Sequence, residues 1–265
     1  MQITKTQNGS WRELLSGKNL TYSCLLGVGI LLNAVNIYIS IAILPSAVNE
    51  IGGIEYYTWN TSLYLMASII GSAISGQFLL MQKPKKAYIY ALIILFIGTF
   101  ICSQAPNMTT MLGGRILQGL GSGILVALSY TMILILYKEI LWPKAIAFLS
   151  GIWGVATFAG PAIGGVFAEL TLWRYAFTSI LPIIFIYMFL IHYYLPNTYT
   201  LQNASKRTPV VQVVLLISTI GVISLIGISS NVYLTIIGII SVIVLLSIFV
   251  KIEKKAVSRL LISVQ

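Results

Sequence analysis

The sequence predicts an all-α, polytopic membrane bundle, and three observations predict it. Of the 265 residues, 58% are hydrophobic and only 8% charged, with a mean hydropathy of +0.93; a soluble domain carries about 25% charged residues. The apolar residues gather into eight runs (21–47, 57–80, 87–105, 110–137, 143–168, 173–196, 209–229 and 232–250). Each is close to the roughly 20 residues a helix needs to cross about 30 Å of hydrocarbon. The cations, finally, sit in the short gaps between runs and almost all in alternate gaps.

The first run follows Lys5, Arg12 and Lys18, as a signal peptide would. It is too long for one, and no small-residue cleavage site follows, so it is expected to stay as an anchor. Asn33, Asn36 and Tyr38 give it a polar middle. Asn33 and Asn36, three apart, share nearly one face, which suits either a cavity wall or plain interhelical hydrogen bonds. Pro45 is expected to close the run.

Run two carries Trp59, read as an interfacial anchor rather than a substrate contact, then Tyr64, then the small residues Ala67, Gly71 and Ser75, with Ser68, Ser72 and Gly76 one position on. Run three holds Cys102; with Cys24 in run one it is expected near the opposite membrane face, leaving two free thiols. Run four contains Arg115, the one charge well inside an apolar run, with Gln118 one turn on and a small stripe at Gly119, Gly123 and Ala127. A cation there must face a partner or a wet cavity, or else snorkel from near a helix end.

Run five has the clearest small face, Ala156, Gly160, Gly164 and Ala168, widened by Gly165 and interrupted by Pro161, where a kink is expected. In lipid, where apolar burial gives no preference between helix and tail, such faces hold helices together. Run six contains Pro182 and ends in His192, Tyr193 and Tyr194, an aromatic belt rather than a proton relay. Residues 197–208, polar and Ser/Thr/Asn/Lys-rich, form the one internal boundary. They divide a six-helix unit (1–200) from two further helices and a basic tail (201–265).

Orientation follows from charge. With the N-terminus inside, the inner segments hold fourteen of the sixteen cations: Lys5, Arg12, Lys18, Lys83, Lys85, Lys86, Lys138, Lys144, Lys206, Arg207, Lys251, Lys254, Lys255 and Arg259. The outer loops hold only Arg174. That asymmetry places both termini in the cytoplasm, in a cytoplasmic (inner) membrane. The net charge of +10 is therefore topological, and nucleic acid is not an expected partner. Glycines 119, 121 and 123 follow no strand, so they are not a phosphate loop. Glu169 reads as a solvated loop acid. There is no metal-ligand set, no nucleophile–base pair and no cofactor signature, so a non-enzyme is expected.

Several segments resemble the major facilitator superfamily of secondary transporters. Residues 151–165, GIWGVATFAGPAIGG, resemble the antiporter signature of its fifth helix, with Gly160, Pro161, Gly164 and Gly165 in the closing Gly-Pro-x-x-Gly-Gly. Residues 114–123, GRILQGLGSG, resemble the fourth-helix pattern Arg-x-x-Gln-Gly-x-Gly. Trp173, Arg174, Tyr175, Ala176 and Phe177 resemble the opening of the sixth helix in drug exporters. Leu44-Pro45, Ile51-Gly52-Gly53 and Tyr57-Thr58-Trp59 resemble the exporters' first loop.

The loop between runs two and three keeps Gly76 and the basic Lys83, Lys85 and Lys86. Leu80, however, stands where the family has an Asp, so that Asp's ion pair cannot form. Asn36 stands where many such exporters carry an acid in the first helix, and Asn cannot carry a proton. The chain contains no Asp at all.

The resemblance implies the N-terminal six-helix half of a fourteen-span, exporter-like branch, plus its two central helices. It implies a secondary transporter that exports small amphipathic, drug-like molecules by proton antiport through alternating access. Arg115, Gln118, Asn33, Asn36 and Tyr38 would lie on the substrate and proton pathway. The expected partners are a small-molecule substrate, the lipid bilayer, protons, and a C-terminal half or second chain. The alternative is a truncated or non-transporting membrane remnant, or a half that acts only on assembly with another chain.

Overall fold

The computed structural model describes residues 9–170, 172–197, 210–227 and 231–255. A short helix, α1 (Trp11–Leu14), is capped by Ser10 Oγ accepting from the Arg12 amide. The long helices follow: α2 (Gly17–Ile51), α3 (Tyr57–Met81), α4 (Pro84–Ser103), α5 (Met108–Leu136) and α6 (Trp142–Glu169). Then come α7 (Trp173–Thr178), α8 (Ile180–Tyr194), α9 (Val210–Ile226) and α10 (Val232–Lys255). No strand occurs among the described residues. Seven helical stretches there are long and apolar enough to cross a membrane, with α7 and α8 counted together. The 17-residue α9 is a shorter apolar helix, and residues 198–209 before it and 228–230 after it lie outside the description.

Helix boundaries follow local chemistry. Pro84 and Pro143 occupy the first turns of α4 and α6, where a missing N–H costs no helix bond. Asn107 caps α5 by accepting from the Thr110 amide at 2.9 Å. The expectation for Pro45 was wrong. It lies inside α2, which runs on to Ile51 and ends at Gly52 and Gly53, with φ of 72° and 81°. One lost hydrogen bond does not stop a helix with partners on several sides, whereas two residues in the left-handed region do. The sixth run is broken at Ser179 into α7 and α8, because Pro182 has no N–H to offer the carbonyl four residues back. The eighth run extends past 250, with Lys251, Lys254 and Lys255 in the last turns of α10.

Residues 197–208 were expected to mark a domain boundary; all but Asn197 lie outside the described residues, as do Lys5, Arg259 and Pro209.

Two ends of the bundle are pinned differently. At the end bearing the N-terminus, Lys138 Nζ approaches Glu13 at 3.7 Å, and Ser23 Oγ and Tyr137 OH are 2.9 Å apart. Trp142 Nε1 donates to the Tyr137 carbonyl at 3.0 Å. At the opposite end, Glu50 accepts from Trp173 Nε1 at 2.6 Å and pairs with Arg174, which also donates to the Ala105 carbonyl at 2.9 Å. One carboxylate thus joins the end of α2 to the start of α7 and the α4–α5 turn.

The interior is built on backbone approach through glycine. A Cβ on Gly123 would stand 2.0 Å from the Ser68 carbonyl oxygen, and one on Gly119 2.2 Å from that of Tyr64. Only glycine permits the α3–α5 seam. Gly160 lies against Tyr38 and Gly164 against Ala42 and Ile39, so the α6 stripe seats on α2. Two expectations for small residues fail: Gly165 and Gly76 each face open space within 4 Å, so neither packs against a neighbour. Gly165 is one step past the buried Gly164, which turns it about 100° off the seam.

Burial ranks the helices. The most apolar stretch of α2 is 61% buried, against 6% for α10. The peripheral helices expose large apolar groups, Phe158 and Phe185 among them, as a lipid-facing surface requires. Helix α9 docks on α3 through a hydrogen bond between Ser224 Oγ and Ser62 Oγ (2.5 Å).

Candidate functional site

Two further glycines bring α4 onto α5. A Cβ on Gly98 would lie 2.5 Å from the Gln118 amide nitrogen, and one on Gly114 2.6 Å from Cys102 Sγ. With α3 drawn in at Gly119, side chains from four helices converge in a space with no solvent exposure. Arg115 is at the centre, fully buried, about 10 Å along α5 from Met108 at 1.5 Å per residue. It does not snorkel. Its Nη1 donates to Gln118 Oε1 at 2.8 Å and to Asn36 Oδ1 at 3.0 Å. Its Nε donates to the Asn60 carbonyl at 3.2 Å, and the guanidinium lies 4.1 Å over the Tyr64 ring.

The network continues outward. Gln118 Nε2 donates to Thr99 Oγ1 at 3.1 Å, and Cys102 Sγ lies 3.5 Å from Gln118 Oε1. Tyr64 OH donates to Asn33 Oδ1 at 2.7 Å. Asn60 Nδ2 donates to Ser40 Oγ at 3.2 Å. Buried polar groups normally find partners, yet Arg115 Nη2, Asn36 Nδ2 and Asn60 Oδ1 have none.

Four of the five pathway residues named from the sequence therefore meet: Arg115, Gln118, Asn36 and Asn33. Tyr38 does not join them. It turns toward α6, where Gly160 packs on its Cβ and Thr157 Oγ1 lies 3.1 Å from its hydroxyl. Of the packing motif, Gly160 and Gly164 are buried while Pro161 is exposed. Lys83 and Lys86 are exposed and Lys85 half-buried at the turn between α3 and α4.

Sequence reasoning missed Asn60, Ser40, Thr99 and Cys102, and left Tyr64 without a role. A signal was available. Asn60, Tyr64, Ala67, Gly71 and Ser75 advance by three or four, so the small-residue face of α3 continues into its polar end. Asn33, Asn36 and Ser40 do the same on α2.

The arrangement can hold a charge, orient polar groups and seal an interior, but it contains no acid. Among the described residues no group of three or more metal-ligating side chains is assembled. The profile of the Major Facilitator Superfamily matches residues 26–260. The chain belongs to that family.

Its relatives agree in kind. Probable multidrug-efflux transporters from two strains of Mycobacterium tuberculosis are each 40% identical over 177 residues, covering 67% of this chain and 37% of theirs. A multidrug efflux pump of Staphylococcus aureus is 30% identical over 128 residues, 48% of this chain and 29% of that one. The chain thus spans well under half the length of these curated relatives.

In fold, it is similar to a D-xylose–proton symporter, with a TM-score of 0.61 at 16% identity over 68% of this chain and 49% of that one. It is also similar to a peptide transporter bound to alafosfalin, with a TM-score of 0.62 at 13% identity over 94% and 54%. A Major Facilitator chain is a multi-pass membrane protein, in line with the resemblance in its sequence.

Proposed function

We propose that this chain forms the first helical half, with two further helices, of a secondary active exporter of small amphipathic molecules. It works by alternating access, with the Arg115 network on the pathway and proton antiport as the driving step. The observation that carries the reading is a fully buried arginine hydrogen-bonded to α2, α3 and its own helix in a family whose relatives here are multidrug-efflux proteins. A buried cation in a membrane interior is costly and marks a pathway far more often than it serves packing.

The opposing wall of the cavity comes from a further helical half or a second chain, as the 37% coverage of the mycobacterial relatives suggests. Residues 1–200 act as the six-helix unit and 201–265 as the added pair. The sided cations support a cytoplasmic membrane with both termini inside. Because Asn36 replaces an acid, the coupling proton is carried outside the Arg115 network.

The test is efflux of a fluorescent amphipathic dye from cells making the protein, with and without a proton ionophore. Export that collapses with the ionophore supports antiport. Export indifferent to it removes proton coupling, and no export above control cells removes the transport reading for this chain.

A further inference from the structure

Arginine has five N–H donors. Here Nε–H and both Nη1 hydrogens meet acceptors, and all three acceptors are neutral oxygens: two amides and a backbone carbonyl. The two hydrogens of Nη2 meet nothing. Arginine has no acceptor, so Asn36 must turn its oxygen toward it; this leaves the Asn36 amino group pointing elsewhere, and it too has no partner. Two unpartnered donor groups, one of them on a cation, are therefore fully buried on residues joined by the 3.0 Å bond from Nη1 to Asn36 Oδ1, with Asn60 Oδ1, an acceptor, likewise unpartnered.

Charge balance points the same way. The sequence has no Asp, and the ion pairs found among the described residues are Glu13 with Lys138 and Glu50 with Arg174, both near helix ends. Amide oxygens can accept hydrogen bonds but cannot cancel a charge, and the Tyr64 ring contributes only a quadrupole. A buried ion without a counter-charge is strongly unfavourable. What would correct it is a small group with one negative charge and oxygen or halide lone pairs.

We propose that Arg115 Nη2 and Asn36 Nδ2 form a binding site for a small monovalent anion, either free chloride or the carboxylate of a transported molecule. Only the second source rests on the transport reading above. The site is closed in this conformation, so the anion enters and leaves as the helices part. A carboxylate would meet the guanidinium edge with charge-assisted hydrogen bonds.

The experiment uses the full chain purified in detergent, in a sulfate-based buffer. Equilibrium binding of radioactive chloride is measured, with benzoate and its uncharged analogue benzamide as competitors. Saturable chloride binding displaced by benzoate and not by benzamide is expected. Asn36→Asp supplies a tethered carboxylate to the same guanidinium; it should lower chloride and benzoate affinity at least tenfold while the protein still elutes as one folded species. Arg115→Gln should abolish binding, and if it does not fold, Asn36→Asp carries the test.

The two sources separate in cells. If efflux of a neutral dye needs chloride, the free ion occupies the site; if benzoate inhibits dye export whether or not chloride is present, the substrate's own anionic group does. Absence of saturable binding of either anion, or affinity unchanged in Asn36→Asp, overturns the proposal. Anion binding without dye export leaves it standing and removes the transport reading instead.

Discussion

Replacing Gly123 with alanine adds one methyl group at the tightest point of the α3–α5 seam. The new Cβ would stand 2.0 Å from the Ser68 carbonyl oxygen, with Ser68 C and Cα at 2.7 Å. All three are backbone atoms of a packed helix, so no side chain can swing away. Ordinary contact begins at 3.4 Å, so the two helices must part by about 1.4 Å at this level. A gap of 0.5–1 Å already forfeits a quarter to a half of a dispersion well worth about 0.1–0.2 kcal/mol per atom pair. With on the order of ten to twenty pairs across this stretch, the loss is about 0.3–2 kcal/mol. The hydrogen bond from Ser72 Oγ to the Gly123 carbonyl, 3.0 Å long, stretches with it.

The control is Gly165→Ala, where the methyl group meets nothing within 4 Å; there alanine's better helix propensity leaves stability level or up by about 0.5 kcal/mol. Both variants are unfolded with SDS in dodecyl maltoside micelles, followed by tryptophan fluorescence. Propensity acts equally on both variants, so if Gly123→Ala matches Gly165→Ala within about 0.5 kcal/mol, close backbone packing is not what holds α3 to α5.

Arg115→Ala should lower dye efflux at least tenfold yet cost only about 1 kcal/mol in the same unfolding assay. It removes two interhelical hydrogen bonds, worth about 0.6 kcal/mol each in membranes, and relieves the burial of a charge; gross unfolding would refute a pathway role. Gly160→Val should separate α6 from α2, since even a Cβ there would meet Tyr38 Cβ at 2.4 Å. A cysteine crosslink between the two helices would then form more slowly, and an unchanged crosslinking rate would contradict the seating described. Glu50→Gln should loosen the end of the bundle opposite the N-terminus and expose the buried Trp173, seen as a red shift in its fluorescence; an unshifted spectrum would show that packing alone fixes the tryptophan. Tyr64→Phe should cost about 1 kcal/mol by removing the donor to Asn33, again measured by SDS unfolding.

Much of this architecture was legible in the sequence because lipid imposes a simple rule: each span must be apolar, helical and long enough. The small-residue stripes of α3, α5 and α6 were legible for a related reason, since only they allow backbone contact. Spacing alone could not tell which glycines face a partner; Gly164 and Gly165 are adjacent and both fit the motif, but one is seated and the other faces out. Pro45 misled because a helix end depends on backbone conformation, supplied here by Gly52 and Gly53, and not on one missing donor. In the site, Arg115, Gln118, Asn33 and Asn36 were visible as polar residues in greasy runs. Asn60 was marked only by its register with the small-residue face of α3, and Thr99 not at all, because a polar residue close to a helix end looks solvated until the neighbouring helix is known.

The position of Arg115 in the chain also bears on how the protein is made. A helix entering lipid with a bare guanidinium faces a penalty of about 3 kcal/mol or more, and α5 is such a helix. Its partners on other helices, however, are Asn36 on α2 and Asn60 on α3, with Thr99 on α4 supporting Gln118. All of these are synthesised before it. When α5 emerges from the ribosome, the acceptors for its arginine have already been delivered to the bilayer. The order of the genetic message thus spares the arginine a lone passage through hydrocarbon, and reordering the helices by circular permutation should impair insertion of α5 before it touches the finished fold.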